Sequence, residues 1–580
     1  MGSKKSKQQK ADNKKREGIT PGTSEEEEHA FIAENLVNKT AKEKPKEKEP
    51  LQEEEKHSQD IKELHEVEHD ITKGIEVRKL VKPSEQPKTV KKTGDLLGHG
   101  FHYFVGIEQK ITHDFFFSWL PDKLKKYIRL FIPFILMAIV LKMPIDVEPQ
   151  IRNALALFIC ISMLWALESI SMIVTALLIP VLSVVLGISG GENPFIGFSN
   201  PMIYLLLSGL IIAQAFRKSE LDKLIAVKVL SLSKGRLKML LFYLMFVTAI
   251  FGMWMSNTAT IALLIPVILT ISGEVGHNGG KDHTSMFLLS AGFASSIGGL
   301  ASILGGNANA ITASFLRTST QFDFLDWFVI GFPISVVLFI ILYFTMLKIY
   351  RLDDEKIDIG IIKEAAQKTR FTYNQRKLLM IFIPTIFLWL FGGQISSFFN
   401  IPPAFYRTEI IGLSAAILLF SFRVLEWDDV RRIPWEIFLL VGGGLTLGQV
   451  FIDTGTASLL ADKLFASIYW MPIFIVILVI VIIAMVLANF VNNSSATIIL
   501  VPVLMEISQH FDISQRLLVM TAAMATAAAA LTPIAMPSFS LIYGTGKVER
   551  GEMVKTGLSV ALICAPVLAI MITLMNFFIS

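Results

Sequence analysis

The sequence predicts an all-α protein that crosses a membrane many times and is built as two related halves. Three observations carry this expectation. Of 580 residues, 52% are hydrophobic and 18% charged, against roughly 25% charged in soluble domains, and the mean hydropathy is +0.54. The charged residues crowd one end, so the remainder is more apolar still. Finally, one short element occurs twice. SNTATIALLIPV starts at Ser256 and NNSSATIILVPV at Asn492, and they align without gaps at an offset of 236 (492 − 256), with Pro266 opposite Pro502.

Residues 1–95 hold EEEE at 25–28 and KEKPKEKEP at 42–50. Such a segment cannot bury enough apolar surface to offset its ordering entropy, so a disordered, charged cytoplasmic tail is expected. No apolar signal core is visible there, which leaves the first membrane span as the insertion signal. Residues 96–126 change character, with Phe101, Phe104, Phe115, Phe116, Phe117 and Trp119 among His99, His102 and His113. This pattern suits an amphipathic interfacial helix on the membrane surface better than a metal site.

The first transmembrane helix is expected within 127–148. Further apolar stretches lie near 151–168, 170–188, 201–217, 283–317, 327–350, 377–396, 408–425, 436–451, 513–546 and 554–578, about eleven spans in all, each near the ~20 residues a bilayer requires. Two more apolar regions, 238–276 and 470–508, are too long for one span and carry the repeated Asn/Ser clusters at their centres. Backbone leaves a helix at membrane depth only where protein or water covers it, so each reads as a re-entrant hairpin with its polar cluster at the tip. The chain then divides into repeat 1 (149–350), a cytoplasmic linker (351–376) and repeat 2 (377–580).

Charge placement orients this scheme. With the tail inside, the Lys/Arg-bearing segments 217–238, 348–377, 423–432 and 547–555 fall inside, while Asp323, Asp326, Asp453 and Asp462 mark outer segments. That obeys the positive-inside rule. It puts the N-terminus in the cytoplasm and the C-terminus on the opposite side, and the two hairpins enter from opposite faces. A second echo supports duplication: Ser208-Gly209 through Gln214 and Phe216 lines up with Gly443-Gly444 through Gln449 and Phe451 at an offset of 235 (443 − 208). Cys160 and Cys564 lie in apolar spans and read as small buried hydrophobes.

The chemistry sits at the tips. Asn257 and Asn493 each offer a carbonyl oxygen to a hard cation and an amide donor to an anion. Ser256, Thr258, Asn492 and Ser494 add polar groups, and helix N-terminal amides at a hairpin tip favour anions. After each hairpin comes a span interrupted by small residues or proline: SSIGGLASILGGNANAI from Ser295 and LTPIAMPSFSLIYGTG from Leu531. Polar, helix-breaking elements in matching places of two apolar halves are the pattern of an inverted-repeat secondary transporter. No nucleophile–base pair, metal-ligand cluster or phosphate loop points to an enzyme, and no nucleic-acid partner is expected. Intramembrane Glu168 reads as a structural carboxylate facing other helices.

Over roughly residues 127–580 the sequence resembles the divalent anion/sodium symporters, carriers of dicarboxylates, citrate or sulfate. Ser256-Asn257-Thr258 matches that family's Ser-Asn-Thr signature, and the hairpin-then-broken-helix order occurs in both halves. Trp165 with Glu168, FSNP at 198–201 and PWEIFLLVGGG at 434–444 add to the likeness. The resemblance implies a homodimer with an elevator mechanism, in the lipid bilayer, with sodium as coupling ion and no other cofactor. It implies a first sodium site at Asn257, Gly305 and Asn309 and a second at Asn493 and Ala535. It places the small divalent anion between Ser256, Asn257 and Thr258 on one side and Asn492, Asn493 and Ser494 on the other. Four residues before each signature that family carries a hydroxyl, where this chain has Gly252 and Ala488. Its Thr-Pro-Pro-Asn loop reads Gly306-Asn307-Ala308-Asn309 and, in the second half, Met536-Pro537-Ser538-Phe539. The losses weaken the second site most and leave coupling to one sodium, coupling to protons, and exchange all open. Restoring a hydroxyl with Gly252→Ser is expected to strengthen sodium dependence.

Overall fold

The protein's structure, a computed structural model, describes residues 122–579 apart from gaps of one to five residues. The charged tail, the aromatic-rich stretch up to Pro121, and Glu168 lie outside the described residues. Among those described, all regular structure is helical except an isolated bridge between Arg236 and Lys356.

Helix α1 (Asp122–Lys142) precedes the repeat, so the last residues assigned to an interfacial segment form its first turn. The first half comprises α2 (Pro149–Ala166), α3 (Met172–Val185), a 3₁₀ turn (Ile196–Ser199), α4 (Met202–Ser219), α5 (Leu221–Ser231), α6 (Leu237–Trp254), α7 (Asn257–His277), α8 (Thr284–Gly299), a second 3₁₀ turn (Ile303–Gly305), α9 (Asn307–Ser319) and α10 (Phe324–Tyr350). Helix α11 (Gly360–Lys368) connects the halves. The second half follows the same order: α12 (Tyr373–Phe399), α13 (Thr408–Ser421), α14 (Trp427–Val430), α15 (Glu436–Asp453), α16 (Thr456–Ile468), α17 (Ile473–Val491), α18 (Asn493–His510), α19 (Gln515–Ala527), a 3₁₀ turn (Pro533–Ala535), α20 (Pro537–Gly544) and α21 (Arg550–Ile579).

The duplication read from one short motif therefore extends over whole halves. Helices α7 and α18 begin at Asn257 and Asn493, 236 residues apart (493 − 257), in agreement with the gapless alignment. Beyond the hairpins the offset falls to 230 (533 − 303), chiefly because α18, at 18 residues, is shorter than α7, at 21, and because the connection that follows it is shorter too.

Among the described residues, eight helices are long and apolar enough to cross a bilayer: α2, α4, α6, α10, α12, α15, α17 and α21. Helices α3 and α13 are apolar but only 14 residues each. Their exposed faces suit hydrocarbon. Val174, Leu177, Val181 and Val184 form a bare stripe on α3, as do Met380, Ile383, Phe387 and Phe391 on α12; water rarely meets such continuous apolar surface. Several short helices were not anticipated, α11 in the linker and α14 among them. The charged stretches after α4 and α15 fold as α5 and α16, each introduced by a left-handed corner residue, Glu220 (φ 53°) and Gly455 (φ 72°). Both are too short to span.

The halves interlock. The post-break helix α9 of the first half packs on α18 and α19 of the second, and α20 of the second packs on α7 and α8 of the first. At its far end α9 is clamped by charge. Arg317 Nη1 meets Glu409 Oε2 at 3.0 Å, its Nη2 donates to Oε1 at 3.1 Å, and Arg407 Nε meets the same Oε1 at 2.7 Å. Glu409 is buried in the first turn of α13.

Candidate functional site

The first hairpin turns where α6 runs out of helical bonds. Met255 is extended (φ −128°, ψ 155°) and its N–H makes the last bond, to the Phe251 carbonyl at 2.8 Å. Ser256 then caps α7: its Oγ accepts from the Ala259 N–H at 3.3 Å and its carbonyl from the Thr260 N–H at 3.0 Å. A serine serves here because its short side chain reaches the orphan amides of a helix start. Asn257 is the first residue of α7, with its Oδ1 accepting from Ser295 Oγ of α8 at 3.0 Å.

The broken segment after α8 is braced from every side. Ser302 is extended, its hydroxyl donates to the Met253 carbonyl, and it accepts from the Leu304 N–H at 3.1 Å. Asn309 Nδ2 donates to the Gly299 carbonyl at 2.8 Å and the Ser302 carbonyl at 2.9 Å. From α10, Trp327 Nε1 donates to the Leu300 carbonyl at 2.9 Å and Ser335 Oγ to the Ile297 carbonyl at 2.8 Å. Carbonyls released by the break thus find partners, as buried backbone requires.

The geometry at Gly299 is the central feature. A Cβ on that residue would stand 2.8 Å from the Gly305 carbonyl oxygen, 3.2 Å from Asn257 Oδ1 and 3.3 Å from the Gly252 carbonyl oxygen. Three oxygens from α6, α7 and the broken segment therefore surround one small space that only a glycine leaves open. All three are neutral. No group of three or more His, Cys, Asp or Glu occurs among the described residues. An oxygen-only, uncharged cradle fits a hard monovalent cation better than a divalent one, which calls for carboxylates. Gly252 itself permits the close approach of α6 to α8, since a Cβ there would lie 2.3 Å from the Ser295 carbonyl oxygen. This corrects the expectation for Gly252→Ser: there is no room for the side chain. The hydroxyl beside Asn257 comes from Ser295 of α8.

Beside the tip lies a small cavity lined by Ser256 and Asn307, with Trp254, Gly209, Leu210 and Ile437 among its other walls. Asn307 opens α9 as Asn257 opens α7, so two helix N-termini lie close to this space, and their partial positive charge favours an anion.

The second tip is built differently. Asn492 has left-handed φ (59°), caps α18 by accepting from the Ser495 N–H at 3.1 Å, and turns its Nδ2 to the Met172 sulfur at 2.8 Å. Ser494 Oγ donates to Asn493 Oδ1 at 3.4 Å. The backbone bracing recurs, with Thr532 Oγ1 donating to the Asn489 carbonyl at 3.4 Å as Ser302 does to Met253. Asn489 Oδ1 accepts from the Leu531 N–H at 2.9 Å.

Of the residues singled out from sequence, Asn257 and Gly305 meet at the cradle. Asn309 stands one step back, holding carbonyls through its amide nitrogen. Ser256 faces the cavity, and Thr258 is half-buried in the first turn of α7. Asn492, Asn493 and Ser494 are not among the walls of that cavity, and Ala535 is fully buried. Sequence reasoning missed Ser295, Asn307 and the Gly252 and Gly299 backbone. A serine directly preceding a Ser-Ile-Gly-Gly run was the only available signal for the first.

The profile of the citrate transporter family (CitMHS) matches residues 162–527. An uncharacterized transporter of Haemophilus influenzae is 32% identical over 451 residues, covering 76% of this chain and 95% of that protein. A sodium-dependent dicarboxylate transporter, SdcS, of Staphylococcus saprophyticus is 26% identical over 448 residues, covering 72% of this chain and 85% of its own. Among solved structures, the YdaH transporter of Alcanivorax borkumensis aligns with a TM-score of 0.46 at 16% identity, covering 67% of this chain and 88% of that one. With a profile match that runs through both tips, and a relative 32% identical over 451 residues, the chain belongs to the citrate transporter family.

Proposed function

We propose that the protein carries small divalent anions, dicarboxylates before sulfate, across a membrane by alternating access, coupled to sodium. The observation that carries this is the cradle of three neutral oxygens (Gly252 O, Gly305 O and Asn257 Oδ1) beside the N-termini of α7 and α9. Asn257, Gly252 and Gly305 would hold the sodium ion, with Ser295 and Asn309 setting the orientation of its ligands. When bound, the ion adds positive charge beside an anion pocket that has no lysine or arginine among its lining residues. Ser256 and Asn307 orient the anion from helix starts, and the second tip, Asn492 to Ser494, meets it from the other half. The relatives named for sodium-dependent dicarboxylate transport support the choice of ion and substrate class. The unit is a homodimer whose N-terminal tail is cytoplasmic and whose C-terminus is on the opposite face. The hairpins and broken helices move together against the remaining helices in an elevator-like cycle.

The test is uptake of labelled succinate, and separately sulfate, into proteoliposomes with and without an inward sodium gradient. Sodium-stimulated succinate uptake, lost in Asn257→Ala while membrane insertion is retained, is the expected result. Uptake that ignores sodium but needs internal anion would establish an exchanger on this scaffold. Normal uptake by Asn257→Ala would remove the first tip from the site.

A further inference from the structure

We infer that the chain binds a single cation, in its first half, and that the equivalent place in the second half is filled by the protein's own methyl groups and one aromatic ring. The inference rests on the sodium-coupled reading above and deepens it.

The two broken segments share their local backbone. Ser302 and Thr532 precede the 3₁₀ turns with nearly the same torsions (φ −139°, ψ 160° and φ −126°, ψ 155°), and Gly306 and Met536 follow them likewise (φ −162°, ψ 150° and φ −151°, ψ 139°). Positions therefore correspond at an offset of 230 (532 − 302) in this segment and 236 at the hairpin. Under that correspondence Gly252 is Ala488 and Gly305 is Ala535, and along the gapless run before the break Gly298 and Gly299 stand opposite Ala528 and Ala529, where the second half has already left its helix at Ala527. All four alanines are fully buried.

The first half shows what those methyls do. A Cβ at 305 would lie 2.2 Å from the Gly299 carbonyl oxygen and 2.7 Å from that of Gly252, and one at 298 would lie 2.2 Å from the Ala249 carbonyl oxygen. Such separations are below any contact a methyl and an oxygen can make. With four methyls in place, the second half cannot draw its carbonyls together as the first does, and the point where three oxygens converge becomes hydrocarbon. The remaining donors are lost too. Ser295 is replaced by Ala525, and Asn309 by Phe539, whose fully buried ring packs edge-on against Phe293 with centroids 4.8 Å apart. Asn489 Oδ1 faces inward but is occupied by the Leu531 N–H. What survives in the second half is the bracing of the break, without the cation's oxygens.

One sodium with a divalent anion leaves a net negative charge on the loaded carrier, so an inside-negative potential should slow uptake. Binding is the direct test. Purified full-length protein is titrated with radiolabelled sodium in the absence of anion. One sodium per chain with a hyperbolic isotherm is expected. Asn257→Ala and Gly299→Ala should each weaken it by about 10- to 100-fold, the range for disturbed ion ligation, whereas Phe539→Leu, at the position of Asn309, should leave the isotherm unchanged. Should Gly299→Ala fail to fold, Asn257→Ala carries the same information. Two sodium ions per chain would overturn the inference and leave sodium coupling standing. Binding that survives Asn257→Ala would move the site out of the first half and also overturn it. A wild-type protein that takes up no sodium would overturn the sodium-coupled reading, and this inference with it.

Discussion

The two hairpin tips have the same secondary structure and opposite chemistry. Around the first, Gly252, Gly299 and Gly305 let backbone oxygens crowd to within 3.3 Å of one point, and Ser295 and Asn309 fix the surrounding groups. Around the second, alanines and Phe539 occupy the matching positions. The comparison teaches that the break in the helix is not itself the binding feature. A break frees carbonyls in both halves; only the absence of side chains lets them converge. The bend is common to both halves, whereas the glycines that let the oxygens converge are found in the first.

Four substitutions, two of them paired with a control in the other half, test such differences between the halves. The largest effect is expected at the clamp on α9, which has no counterpart: Arg317 corresponds to exposed Lys547 (317 + 230), and Glu409 to Ile173 (409 − 236). Glu409→Gln leaves Arg317 without its carboxylate in a largely buried place, costing about 3–5 kcal/mol, to be read as a lowered thermal midpoint. Lys547→Gln should be silent in the same assay. A smaller loss is expected for Gly252→Ser, whose Cβ meets backbone at 2.3 Å; overpacking of this kind costs about 1–3 kcal/mol. Sodium-stimulated uptake should fall, whereas Ala488→Gly should cost only about 0.5–1 kcal/mol and leave sodium dependence intact. A rise in sodium stimulation in Gly252→Ser would mean that α6 and α8 can separate without losing the cradle.

The corner between α4 and α5 differs from its counterpart in the same manner. Asp222 is fully buried where the second half has Ala457, and its Oδ2 lacks a hydrogen-bond partner. Burial pushes its carboxyl up to about 6, against the pull of the neighbouring Lys223 and Arg217. The folded chain therefore holds this proton more tightly than the unfolded chain does, and stability declines as pH rises through about 6. Asp222→Asn should raise the thermal midpoint at pH 7.5 by an amount that vanishes near pH 4. An equal gain at both pH values would show that charge burial is not the cause. The smallest effect is expected for Ser295→Ala, which removes one hydrogen bond to Asn257, worth about 1 kcal/mol. It should weaken sodium affinity about fivefold, with succinate affinity at saturating sodium unchanged.

Much of the architecture could be read from the chain. Apolar length and the repeated Asn/Ser-to-proline element pointed to hairpins at 238–276 and 470–508, and the structure turns the chain at Met255–Ser256 and at Asn492 within them. Helices α5 and α16 were missed because, at 11 and 13 residues, they lack the long apolar run that marks a span. The site was half legible. Asn257 stood out as a polar residue at a hairpin tip inside an apolar region, whereas Gly305 entered only through the family resemblance. Ser295 did not stand out, because its role depends on α8 lying against α6.

The sequence by itself determined that this chain is helical, apolar, duplicated and interrupted twice at equivalent places, since hydrophobic period, proline and glycine act locally. Only the tertiary structure decided which interruption gathers oxygens. That outcome depends on distances between segments some fifty residues apart, Gly252 to Gly305, and on whether a methyl group stands between them. A glycine and an alanine differ little as letters in an apolar run. At a point where three carbonyl oxygens would meet, they differ by the whole of the space a cation needs.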